Sequence, residues 1–346
     1  MAPERETIMK NGILRAIGAG LVASVVALSG AHAQDAKDYV LQTASTGGTY
    51  HPVGVAIATL SKVKLLPSQK FSLTAVNSAG SGANVQAMGS GTADFAIIQG
   101  LFGSYAAKGE GPISEPQENL RAVTMLWQNV EHFMVDKASA KTGTVSDIME
   151  LKGESAALGR KNSGTIGSNE VLLSGLGMTL EDFTLVEGGY GPSADALGNG
   201  QVKLASTPAG APVGAVTKLM ASNGGDVAIL DVTDEELAKM DGGRGLWTRY
   251  VIPAGTYPGQ DADINTIAQP NILAVNADVD EEHVYQLTKA MYENLPFLQA
   301  IHPATKAMSL DAALAGLPLP LHPGAQRYFE EAGLTIPDEL KAPAAQ

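Results

Sequence analysis

The sequence predicts an α/β protein of two doubly wound domains with a ligand cleft between them. Three observations predict it. The 346-residue chain is long enough for two domains, and its 45% apolar residues can fill two cores. Short β-type runs alternate with helix-type segments, the pattern of parallel sheets covered by helices. Three of these runs are followed by a loop of Gly, Ser and Thr that opens a helix, and in doubly wound sheets such loops border the ligand crevice.

Composition narrows the partners. Charged residues are only 17% and glycines number 39, which favours tight loops over long solvated helices. A formal net charge of −13 argues against nucleic acid or an anionic membrane surface. With zero cysteines, disulfides, thiolate metal sites and cysteine nucleophiles are excluded.

Residues 1–33 read as an export signal. Arg5, Lys10 and Arg15 precede an apolar stretch over 17–28, and Ala31-His32-Ala33 gives a small-x-small cleavage pattern before Gln34. That stretch is too short to span ~30 Å of hydrocarbon. Cleavage after Ala33 removes three basic and two acidic residues, taking the formal charge from −13 to −14. The expected location is the periplasm, with no membrane anchor and a monomeric state.

Strands are expected over 39–43, 71–76, 94–98, 121–126, 133–136, 155–159, 202–206 and 227–231. After Pro52, Val53, Ala56, Ile57 and Leu60 form one buried helical stripe. Thr233 and Glu236 form a capping box for a helix ending near Met240. Asp280, Glu281 and Glu282 suit the start of a helix whose apolar face is Val284, Leu287 and Met291. Crossings between domains are placed near 128–131 and 266–272. Domain I is then 34–128 plus 268–340, domain II is 129–267, and 341–346 is a flexible tail.

The three helix-opening loops are Thr46-Gly47-Gly48-Thr49-Tyr50, Asn77-Ser78-Ala79-Gly80-Ser81-Gly82 and Asn162-Ser163-Gly164-Thr165, the last preceding a helix expected near 168–176. Each presents backbone N–H groups and small hydroxyls at a positive dipole end, a ready anion site. The plainer alternative is that they are turns with capping hydroxyls. Tyr190, between Gly188-Gly189 and Gly191-Pro192, reads as a loop aromatic packed on a helix, with a place at the cleft mouth as the alternative.

Catalytic and cofactor signatures are missing. No Gly-Lys dipeptide marks a P-loop, no H-E-x-x-H marks zinc, and no serine fits the G-x-S-x-G elbow. The chain is therefore expected to be no enzyme and to hold neither cofactor nor metal. An exported serine hydrolase using Ser78, Ser81 or Ser163 with His51 as base, and an adhesin-like surface protein, are the readings from other classes.

Five segments together resemble the TAXI family of solute receptors for TRAP transporters. They are Thr46 to Gly54, Gly89 to Gln99, Glu150-Leu151-Lys152-Gly153, Asn294-Leu295-Pro296 with His302-Pro303, and Pro320 to Ala325 with Tyr328. The resemblance implies a type II periplasmic binding fold that captures a small organic anion, an amino acid or oxoacid such as glutamate or 2-oxoglutarate. Closure of the two domains would deliver the solute to a TRAP permease membrane subunit, fused in one chain; the binding protein of an ATP-driven importer is the alternative.

The ligand contacts the resemblance implies are Thr46, Gly48, Thr49, Tyr50, Ser78, Ser81 and Gln99 on the first domain. On the second they are Ser163, Gly164, Thr165, Thr207, Pro208 and Gly210. Thr49→Ala and Ser163→Ala are expected to weaken binding and leave folding intact. Many relatives carry an arginine where this chain has Ile166, and Tyr-Tyr-Pro where it has Tyr50-His51-Pro52. Loss of that arginine would remove a charge-assisted bond, so a monocarboxylate is expected over a dicarboxylate such as glutamate.

Overall fold

Residues 36–343 are described by the computed structural model; the expected export signal, at 1–33, and the last three residues of the expected tail lie outside the described residues. Eleven strands occur among them: β1 (Lys37–Gln42), β2 (Phe71–Val76), β3 (Phe95–Gln99), β4 (Leu120–Val130), β5 (Phe133–Asp136), β6 (Ser155–Ala157), β7 (Thr184–Leu185), β8 (Leu204–Ser206), β9 (Val227–Ile229), β10 (Thr248–Ile252) and β11 (Ile264–Asn276).

They form two sheets. The first runs β10-β11-β3-β1-β2, with β4 also paired to β11, and the second runs β7-β6-β8-β5-β9. Strand β1 is parallel to β2 and β3, while β11 is antiparallel to β3, β4 and β10. All five residues of β3, Phe-Ala-Ile-Ile-Gln, are buried, as expected of a central strand covered on both faces. In the second sheet β6 is parallel to β7 and β8, and β5 is antiparallel to β8 and β9.

Two segments link the sheets. Glu131 and His132 lie between β4 and β5, and the return passes into β11, whose first residues pair with β10 and whose later ones pair with β3. The links are tied side by side: Glu131 N donates to Ile267 O at 2.9 Å, and Thr266 Oγ1 to Glu131 O at 2.8 Å. Apolar packing is continuous across both sheets, since Val145, Ile148 and Leu172 belong to the same buried cluster as Leu73 and Ile97.

Each expected strand overlaps an observed one. Strands β7, β10 and β11 have no counterpart among the expected strands, although the crossing expected at 266–272 falls inside β11. Both residues of β7 are exposed, and β10 is an edge strand with one buried residue, so neither needs an apolar alternation. The first helix begins at Tyr50, two residues ahead of Pro52. The third loop's helix begins at Gly164 instead of 168, because Ser163 is its N-cap and accepts a bond from Ile166 N. The capping box at Thr233 and the cap at Asp280 are both present.

Candidate ligand-binding site

Helices open directly off the carboxyl ends of the parallel strands. The loop after β1 leads into Tyr50–Lys64, the loop after β2 into Ser81–Gly89, the loop after β6 into Gly164–Gly175, and the loop after β7 into Tyr190–Gly198. Their N-termini gather at one end of the sheets, where unpaired N–H groups and helix dipoles favour an anion.

The three loops meet there. Gly48, Thr49, Tyr50 and Ser81 line a cavity together with Gln99 at the end of β3. Its opposite wall is Ser163, Gly164, Thr165 and Pro208. The cavity measures about 40 Å³, room for about one water molecule.

Direct contacts join the walls. Thr49 Oγ1 donates to Gly210 O at 2.8 Å, and Ala215 N to Gly47 O at 3.2 Å. Gln99 Nε2 donates to Gly164 O at 2.9 Å and to Ser168 Oγ at 2.6 Å. Ala83 N donates to Asn162 O at 2.9 Å. The backbones are close enough that a Cβ on Gly82 would stand 2.7 Å from Asn162 O. Glycine is what permits this approach.

Four expected contacts fall elsewhere. Thr46 and Ser78 line a separate outer cavity of about 320 Å³ with Ser45, Asn77 and Arg160. Ser78 Oγ is engaged within its own side, donating to Thr43 O and Asn84 Oδ1 and accepting from Gly80 N. Thr207 is fully buried behind the wall, its N donating to His132 O. Gly210 reaches the site only through the carbonyl that accepts from Thr49.

Several lining residues stand outside the expected contacts, Arg160, Tyr190 and Asn129 among them. Arg160 borders both cavities, and its guanidinium donates to Ser78 O through Nη2 and to Ala79 O through Nε at 3.4 Å. The visible signal was a cation three residues before Ser163 in the same loop. Tyr190 lies over Gly48, its ring 2.9 Å from where a Cβ would stand, and its hydroxyl donates to Pro208 O at 2.6 Å and meets Thr165 Oγ1 at 3.0 Å. It therefore lines the cleft and does not merely pack on a helix. Asn129, on β4, completes the floor.

The expectation built on Ile166 needs a new physical basis. Ile166 lines a side cavity of about 340 Å³ with Phe102 and Ile113 and is not part of the inner lining, while Arg160 supplies a cation from another position.

Burial holds the Tyr50 and Tyr190 hydroxyls well above the usual phenol range, so both stay protonated donors. Tyr50 OH donates to Asn271 Oδ1 at 2.5 Å. At the crossing, burial pushes the Glu131 carboxyl up to about 8, although Trp247 Nε1 donates to it at 3.2 Å. Burial pulls His132 down to about 4, with Tyr257 OH at 2.7 Å from its Nε2.

His51 contacts Thr43 Oγ1 at 3.3 Å, and no hydrogen bond among the described residues joins it to Ser78, Ser81 or Ser163. Among the described residues no group of three or more His, Asp or Glu could hold a metal ion, and no helix is long and apolar enough to cross a membrane.

Residues 41–333 match the model of the NMT1-like family. The chain belongs to that family. This match does not carry the narrower TAXI resemblance. Among solved structures, the chain is similar to a protein described as a periplasmic transporter, at 14% identity, with 87% of this chain and 96% of that chain covered and a TM-score of 0.51. A protein from Bordetella bronchiseptica RB50 aligns at 16% identity over 89% of this chain and 85% of that one, with a TM-score of 0.50. The zinc-bound ligand-binding component of an ABC-type import system from Staphylococcus aureus aligns at 13% identity over 89% and 97%, with a TM-score of 0.47. At these identities the first two likenesses are of fold alone, in keeping with the two-sheet α/β architecture that the sequence predicted.

Proposed function

We propose that this NMT1-like protein is an exported solute receptor that captures a small carboxylate-bearing anion between two closing lobes and hands it to a membrane importer. The observation that carries the proposal is the meeting of loops from four parts of the chain around one cavity, with hydrogen bonds from wall to wall. A solute that enters the opened cleft replaces water at helix N-termini and gains the bonds made only on closure. Hinge closure of this kind is a known device of periplasmic receptors. The divisions 34–128 plus 268–340 and 129–267 are the proposed moving bodies, pivoting on the paired crossings at Glu131 and Thr266.

The ATP-driven importer now stands first as the membrane partner, because the TRAP assignment rested on the TAXI resemblance alone. Whether a fused TRAP membrane gene or an ATPase gene adjoins the receptor gene separates the two. Mass spectrometry of material released from natively purified, exported protein tests the receptor reading. A small organic acid in near-stoichiometric amount supports it, and recovery of only neutral or cationic compounds contradicts it.

A further inference from the structure

We propose that Arg160 selects the charge of the solute, and that the solute is a small organic monoanion bearing an uncharged hydrogen-bond donor, not a zwitterionic amino acid. This rests on the receptor reading above and names the ligand class of the same site.

Arg160 is the single Lys, Arg, His, Asp or Glu among the described residues that line the inner cavity. It also borders the outer cavity, so it stands where a solute would pass from one to the other. Its present partners are two neutral backbone carbonyls, of Ser78 and Ala79, and no carboxylate pairs with it among the described residues. An arriving carboxylate or sulfonate exchanges those carbonyls for a charge-assisted, two-pronged contact, which is the stronger bond.

The floor asks for a donor. Gln99 Nε2 is committed to Gly164 O and Ser168 Oγ, which turns Gln99 Oε1 toward Asn129 Nδ2 at 3.4 Å. That fixes the Asn129 amide with Oδ1 left over, buried and without a partner in the protein. A solute hydroxyl would satisfy it, and leaving it unmet is costly.

An ammonium group finds no counter-charge in this lining. The wall carbonyls already accept: Pro208 O from Tyr190, Gly210 O from Thr49, and Gly164 O from Gln99. Glu131, two residues from Asn129, lies outside the lining; its Oε1 accepts from Trp247 Nε1, its Oε2 is buried without a partner in the protein, and burial keeps the carboxyl protonated up to about 8, so at neutral pH it presents no counter-charge. A second carboxylate would equally lack a second cation, which disfavours dicarboxylates on grounds independent of Ile166.

Matched pairs test the inference on the exported full-length protein by thermal shift and titration calorimetry. The pairs are lactate against alanine, 2-hydroxyethanesulfonate against taurine, and lactate against malate; the first two also separate carboxylate from sulfonate. The hydroxy monoanion of at least one pair is expected to raise the melting temperature, with its zwitterionic or dianionic counterpart weaker. Arg160→Gln should weaken the binding monoanion about 100-fold and Arg160→Lys about tenfold, with the far-ultraviolet circular dichroism of both unchanged. Tighter binding of a zwitterion or dianion, or wild-type affinity in folded Arg160→Gln, overturns this inference and leaves the receptor reading standing. A panel widened to neutral and cationic solutes in which nothing shifts the melting temperature rejects both.

Discussion

The two walls of the cleft do different work. The wall on the first sheet is electrically neutral, made of the Gly48 to Tyr50 turn, Ser81 and Gln99 at the ends of long strands. The facing wall hangs on strands of two or three residues and brings the cation Arg160 and the ring of Tyr190. One wall supplies a shaped platform and the other supplies charge and the closing bonds. Under the proposed closure, affinity and fold stability are separable, since the bonds from wall to wall reach across the gap while the platform is held by its own sheet.

The largest expected effect comes from keeping the walls apart. Gly82→Ala places a methyl 2.7 Å from Asn162 O, a backbone atom that cannot swing away. Overpacking of about 1–3 kcal/mol falls mainly on the contact between the walls, with a smaller share against the ring of Phe102 at 3.1 Å on Gly82's own side, so solute affinity should drop about 10- to 100-fold. Chemical unfolding of the ligand-free protein should show no loss of stability, because alanine is the better helix former. Equal losses in both measurements would break the separation of platform and closure.

The crossing between the walls should make stability depend on pH. Glu131 keeps its proton up to about 8 when folded against an ordinary value of 4.5, so ionising it costs folding free energy, and stability falls as pH rises from 4.5 to 8. His132 is neutral down to about 4 when folded against an ordinary 6.5, so its contribution rises with pH between 4 and 6.5. The slopes oppose each other below 6.5, leaving a net decline from 6.5 to 8 of up to about 1.4 kcal/mol per pH unit. Urea unfolding at stepped pH should show this decline in the wild type and a flat line over the same range in Glu131→Gln.

Two smaller substitutions sharpen the contrast. Ser163→Ala removes the helix N-cap that accepts from Ile166 N at 3.1 Å, so it should cost about 1 kcal/mol of stability. Thr49→Ala deletes only the bond from one wall to Gly210 O, for an affinity loss of about three- to tenfold with an unchanged unfolding midpoint. A destabilised Thr49→Ala would place Thr49 in the platform's own support.

What was legible in the sequence is what local chemistry decides. The cap at Asp280 and the box at Thr233 and Glu236 depend on residues three apart and are found as written. Strand β3 was visible because all its residues are apolar up to Gln99. The glycine-rich loops announced their backbone N–H groups, and the structure gathers them at one cavity. Arg160 was not legible, because its role depends on carbonyls about eighty positions away. Tyr190 likewise takes its place from Gly48 and Pro208. Ser78 looked like a ligand contact but is consumed in holding Thr43 and Asn84, a demand no local pattern reveals.

Small-angle X-ray scattering of ligand-stripped exported protein, before and after addition of a small-molecule extract of cells, tests the central claim most directly. If the solute enters by the proposed parting of the walls, the stripped protein should be measurably larger than the structure in which the walls are joined and should contract on adding the extract. A stripped protein that already matches the closed structure and does not change would contradict capture by closure.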